Sequence, residues 1–170
     1  MKINHLALKA IYLHEMDRFR RTLTQSLLSP VLTTSLYFIV FGSVIGGYVE
    51  KIDGISYGSY IVPGLLMLTL LTQSISNTSF GIFFPKFNGT IYEILAAPIS
   101  TFEVVLAFVG AGATKTLIVS IIIFFTSLFF VDVQVKYPFL MIFLLILVAF
   151  TFALFGFLIG LISSDFEQMS

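Results

Sequence analysis

Four apolar runs, roughly 27–47, 59–84, 104–131 and 139–162, occupy most of this 170-residue chain, and Lys115 is the only formal charge inside any of them. Each run is about 20 residues or longer, the length an α-helix needs to cross about 30 Å of hydrocarbon. A soluble bundle of this size would turn charged helix faces to water, and these runs have none to turn. The sequence therefore predicts an all-α fold: a polytopic membrane helical bundle with about four transmembrane helices. Composition agrees, since only 11% of residues are charged and 58% are hydrophobic, against about 25% charged in ordinary soluble proteins. The chain has no cysteine, which excludes disulfides, thiolate metal sites and cysteine nucleophiles. It has no Trp either, so any interfacial aromatic belt must come from Tyr and Phe.

The formal net charge is zero, which points to neither an acidic nor a basic partner and gives no footprint for nucleic acid. The placement of the charges is more informative. Lys2, Lys9, Arg18, Arg20 and Arg21 precede the first run, and Lys86 lies in the loop at 85–103. The loops at 48–58 and 132–138 carry one cation each, Lys51 and Lys136. An even number of spans places the N-terminus and the 85–103 loop on the same, more basic side, so the positive-inside rule predicts a cytoplasmic N-terminus. The opposite loops are too short for a folded outer domain. The first 26 residues are charged throughout and lack an apolar core followed by a small-residue cleavage site, so they do not read as a cleaved signal peptide.

Within that leader, Ile11, Met16, Phe19 and Leu23 recur at about helical spacing, with Glu15, Asp17, Arg18, Arg20 and Arg21 mostly elsewhere around the helix. The pattern suits an amphipathic helix in the headgroup layer; the alternative is a flexible basic leader. His5 and His14 have no ligand partner at metal spacing and read as polar surface. Prolines punctuate the segment ends: Pro30 at the start of the first span, Pro63 one turn into the second, Pro85 closing it, Pro98 in the inner loop and Pro138 opening the fourth.

The inner loop holds two helix starts. Thr90 with Glu93, and Ser100 with Glu103, each fit a capping box, in which the hydroxyl accepts from the N–H three residues on and the carboxylate reaches back. The first would open a short helix over 91–97 that Pro98 ends; the second would open the third span. Ile91, Ile94 and Leu95 should share one face, with Tyr92 and Glu93 elsewhere. Such a helix either transmits force from a partner to two spans or is an ordinary re-entry turn resting on the membrane surface.

This loop, with Glu93, Leu95, Pro98 and Ser100, resembles the cytoplasmic loop of ABC-2 type transporter permeases. So do Ser29-Pro30-Val31-Leu32, Leu36-Tyr37-Phe38 and Phe41-Gly42 in the first span, and Tyr60-Ile61-Val62-Pro63-Gly64-Leu65 in the second. The likeness runs over essentially the whole chain and is nearest to the drug or polysaccharide export branch. It implies a permease subunit that moves a drug-like, lipid or glycan substrate out across the inner membrane. It also implies that residues 1–26 form the interfacial elbow helix, that 27–170 form the transmembrane domain, and that 91–97 is a coupling helix docking on a separate ATP-binding-cassette ATPase through Thr90, Tyr92, Glu93, Leu95, Pro98 and Ser100. Such permeases act as dimers in the lipid bilayer with two ATPase subunits, which carry the ATP and Mg; no cofactor or metal is expected in this chain. Members of the family usually have six spans, so a chain ending at Ser170 reads as an N-terminal fragment or a truncated gene product.

The membrane-embedded residues carry no catalytic constellation. Gly110, Gly112, Lys115 and Thr116 look superficially like a phosphate-binding loop but lack its Gly-Lys pair, so ATP hydrolysis must come from another chain and this one is not expected to be an enzyme. No span holds a carboxylate pair for a proton relay. Thr69, Thr72, Gln73, Ser76 and Asn77 form a polar stripe on the second span, either lining a translocation path or joining helices. Lys115 lies about one turn inside the cytoplasmic boundary, where it either snorkels to headgroups or pairs with a structural partner, or else contacts substrate. Gly42 with Gly46, and Gly156 with Gly160, have the spacing that permits close helix contact. Two rival readings are a non-transport membrane scaffold or assembly protein, and a secondary transporter or channel; the latter calls for an internal repeat with matched broken helices, which is not visible.

Overall fold

The computed structural model describes residues 4–45, 54–133, 135–165 and 167. Helix α1 runs His5–Arg21 and α2 Leu23–Tyr37, the latter continuing as π-helical turns over Phe38–Ile45. Then follow α3 (Tyr57–Phe87), a single turn α4 (Ile91–Ala96), α5 (Thr101–Leu128) and α6 (Pro138–Ile162). Four helical stretches, Leu23–Phe41, α3, α5 and α6, are long and apolar enough to cross a membrane. With α1 they make the polytopic helical bundle that the sequence predicts. Gly46, Lys2, Lys51 and Asp53 lie outside the described residues.

Helix α5 is the centre of the bundle and touches α1, α2, α3 and α6. Its small residues explain that position: Ala107, Ala111, Gly112 and Ala113 are all buried and let neighbouring backbones come close. Two apolar clusters fill the interior. One joins Leu70 and Ile82 of α3, Val104, Phe108 and Ala113 of α5, and Ala149, Ala153 and Phe157 of α6. The other joins Phe19, Phe38, Val62, Leu66, Val119 and Ile123. Helix α6 instead exposes large apolar residues such as Phe139 and Phe143 over most of its circumference. That is the arrangement expected where lipid rather than water is the solvent.

Polar ties hold the helix ends. Ser59 Oγ donates to the Asp132 carbonyl at 2.9 Å and joins the first turn of α3 to the loop after α5. At the other end, Lys86 Nζ donates to the Leu161 and Ser163 carbonyls at 2.7 and 2.8 Å, covering orphan carbonyls at the end of α6 with a cation. The Ser100–Glu103 capping box forms as predicted: Glu103 N–H donates to Ser100 Oγ at 3.3 Å and Ser100 N–H to Glu103 Oε2 at 2.7 Å. Glu103 also accepts from the backbone N–H of Asn4 at 2.5 Å, so one buried carboxylate fastens the start of α1 to the start of α5. Replacing Ser100 by Ala should cost about 0.5–2 kcal/mol and lower the melting temperature of the detergent-solubilised chain. Ser100→Asp, which keeps a capping oxygen, should retain most of it.

Three boundaries depart from expectation. The first span begins at Leu23, so Pro30 is buried inside α2 rather than at its start, and the Ser26 carbonyl loses its helical donor. Pro85 does not close α3, which continues to Phe87. Thr90 does not cap α4: it takes helical angles (φ −60°, ψ −20°) and its side chain makes no cap bond.

Candidate functional site

Two features concentrate the residues singled out by sequence. The first is the turn around α4. Gly89 enters it with φ +79°, a left-handed conformation that favours glycine. Ala97 leaves it in an extended conformation (ψ 152°) ahead of Pro98, as a residue before proline prefers. Between these stops, Ile91 and Ile94 pack on the cluster beneath α5 and α6, together with Ile99. Leu95 does not share that face. It is 63% exposed, Tyr92 is 73% exposed, and Thr90, Glu93 and Pro98 are also exposed. Ser100 is occupied as the N-cap of α5. The turn is thus anchored by two isoleucines and displays an aromatic, a carboxylate and a leucine outward.

The second feature is a buried ion cluster between α1, α3 and α5. Lys115 Nζ donates to Glu15 Oε2 at 2.7 Å, and Arg18 Nη2 reaches the same oxygen at 3.0 Å. The Lys115 and Glu15 side chains are 4% and 2% exposed, whereas that of Arg18 is 35% exposed and also lies 5.7 Å from the centre of the Phe84 ring. Lys115 therefore pairs rather than snorkels. Gly81 of α3 provides the room: a Cβ there would sit 3.4 Å from Glu15 Oε2. Next to the cluster, Tyr12 donates to Thr114 at 3.1 Å, and Asn77 donates to Gln73 and Thr116 at 3.3 and 3.5 Å.

The leader is helical, as expected, rather than a flexible segment, and one of its faces meets the bundle. Helix α1 runs beside the first half of α5, with Asn4 at Glu103, Tyr12 at Thr114 and Glu15 at Lys115. Its stripe of Ile11, Met16 and Phe19 packs on protein, and Glu15, expected elsewhere on the helix, is buried with Phe19. The sequence reading missed Glu15. A signal was present, because Ile11, Glu15 and Phe19 are spaced four apart and a carboxylate on an apolar stripe needs a partner. The polar stripe of α3 also divides. Asn77 reaches α5, while Thr69 and Thr72 donate to their own helix at Leu65 and Leu68. Gln73 serves as acceptor for Asn77, and Ser76 is exposed. Among the described residues no group of three His, Asp or Glu is placed to hold a metal.

Fold and site together define a helical membrane-embedded domain with an anchored, outward-facing turn between its second and third spans. The chain belongs to the ABC-2 type transporter family, whose model matches residues 7–170. It is 38% identical over its whole length to the inner membrane transport permease YadH of Escherichia coli K12. The match to the permeases of the same name from E. coli O157:H7 and Shigella flexneri is also 38%. The matched region is 66% of each relative, so the chain spans just under two thirds of their length. No solved structure matches the chain significantly.

Proposed function

We propose that this chain is permease material of an ATP-driven exporter of the inner membrane, with its N-terminus cytoplasmic. In this reading α4 is the coupling turn to a separate ATP-binding-cassette subunit, and the working permease is a homodimer. The reading rests on family membership and on inner membrane transport permeases as relatives. The observation that carries it is α4. A turn held by Ile91 and Ile94 cannot move without pulling on the cluster of α3, α5 and α6, while Tyr92, Glu93 and Leu95 remain free to be gripped. ATP binding would close the partner subunits, displace α4 and shift α5 through the Ser100–Glu103 cap. An exposed aromatic beside an exposed leucine is the kind of anchor that carries most of an interface's energy.

The test removes the grip and leaves the anchor. Tyr92→Ala with Leu95→Ala should weaken association with the ATPase by about 2 kcal/mol, roughly 30-fold, and Glu93→Lys should weaken it further. All three side chains are exposed, so membrane insertion and melting temperature should be unchanged. Co-purification of a cassette ATPase from native membranes, followed by titration of the purified pair, reads the effect. Undiminished association of the triple variant would remove α4 from the coupling role. A wild-type chain with no ATPase partner would favour a scaffold.

A further inference from the structure

A cavity of about 130 Å³ lies beside the buried ion cluster, where α1 meets α2 and faces α3 and α5. Its polar walls are Arg18, Thr22, Ser26, Ser76, Asn77 and Lys115. Three properties decide what it can hold. The first is charge. Two cations share one oxygen of one carboxylate, so the cluster carries one positive charge in excess, and Glu15 is not among the cavity's wall residues while both cations are. The second is donor capacity. An ammonium has three N–H groups and a guanidinium five, and Glu15 is the acceptor for Lys115 and the ion partner of Arg18 among the described residues. The Ser76 hydroxyl extends the donor set, whereas Thr22 Oγ1 already donates to the Arg18 and Phe19 carbonyls and Ser26 Oγ to Thr22. The third is access: Arg18 is partly exposed, and Thr22 and Ser76 are exposed at the rim.

We propose that this cavity binds a single phosphate-type oxyanion, presented by an anionic phospholipid headgroup or as a free phosphate. A cation surplus with the Ser76 hydroxyl beside it, at the edge of an apolar bundle, suits a compact, multiply accepting anion, because charge-assisted hydrogen bonds from Arg and Lys are the strong ones. The inference does not depend on α4 or on any ATPase, and it gives Arg18 a task beyond supporting a carboxylate that Lys115 already neutralises.

The experiment uses the full chain, purified in detergent and stripped of lipid. Binding is measured for phosphatidylglycerol in mixed micelles and for inorganic phosphate. Saturable binding at one equivalent per chain is expected for the lipid, for the free anion, or for both. Lipid alone identifies a headgroup site, and competition by phosphate identifies a site open to soluble anions. Arg18→Gln and Ser76→Asp should each weaken the bound probe about tenfold or more. Arg21→Gln, an exposed cation on the same helix outside the cavity, should not. Circular dichroism and gel filtration report folding, and Ser76→Asp decides alone if Arg18→Gln is misfolded, because Ser76 is exposed. Absence of saturable binding of either probe, or wild-type affinity in the folded variants, would overturn the proposal.

Discussion

Lys115→Met is expected to destabilise the chain by about 3–5 kcal/mol, the cost of leaving a buried carboxylate without its partner. The substitution preserves much of the side chain's volume and apolar stem, so the loss reports charge rather than a cavity. Glu15 is 2% exposed and held between α1, α3 and α5. Arg18, with a third of its side chain exposed, replaces only part of what Lys115 supplies. At roughly 2–4 °C per kcal/mol for a domain of this size, the melting temperature in detergent should fall by about 10 °C. The double variant Glu15→Gln with Lys115→Met should recover most of the fall, since a neutral amide has no charge to strand. The cycle of single and double variants then gives the coupling energy directly. A Lys115→Met variant that melts within about 2 °C of wild type would mean that the pair is not closed in the folded protein. The pair does more than stabilise. Its partners lie 100 positions apart in the chain and fix the leader helix to the central span.

That separation also explains what could be read in advance. Four spans were legible because apolar length is a local property, and the Ser100–Glu103 cap was legible because its groups lie three residues apart. The position of α4 was legible from Gly89 and Pro98, but the direction of Leu95 was not. In a single turn, three candidates share too short an arc for spacing to choose which of them meets the bundle, and Ile91 and Ile94 do. Thr90 with Glu93 has the same residue types as the true cap. It fails because the turn after Gly89 already holds Thr90 in helical angles, where its hydroxyl cannot reach forward. Lys115 was visible as a charge in need of a partner. Its partner was not, because the docking of α1 along α5 depends on contacts that no window of the sequence contains. On α3 local bonding separates the polar residues: Thr69 and Thr72 turn back on their own carbonyls, and Asn77 crosses to Thr116.

Replacing Gly156 or Gly160 by Val should separate α6 from α3 and lower stability by about 3 kcal/mol or more each, the upper range for overfilled cores. A Cβ at Gly156 would lie 2.5 Å from the Ile75 carbonyl oxygen and 2.8 Å from its Cα. A Cβ at Gly160 would meet the Ser79 carbonyl oxygen, with the Ser79 Cα at 2.9 Å. These obstacles are backbone, so no rotamer change relieves them, and the helices must part. Ala149, Ala153, Gly156 and Gly160 are all buried on one line of α6, and that line of small residues is what allows α3 and α6 to approach closely. Intrinsic propensity pulls the other way, since Val is a better helix former than Gly by a few tenths of a kcal/mol. A fall in stability would therefore show packing overriding local preference by several-fold. Gly64 supplies the control within the neighbouring span: it is exposed, and a Cβ there meets nothing within 4 Å. Gly64→Ala should be neutral or stabilising by up to about 1 kcal/mol. Thermal melts of the three variants in one detergent separate the possibilities. If Gly156→Val and Gly160→Val melt alongside Gly64→Ala, the two helices do not meet backbone to backbone. If both collapse while Gly64→Ala holds, the α3–α6 contact is the joint on which the bundle, and any force delivered to it through α4, depends.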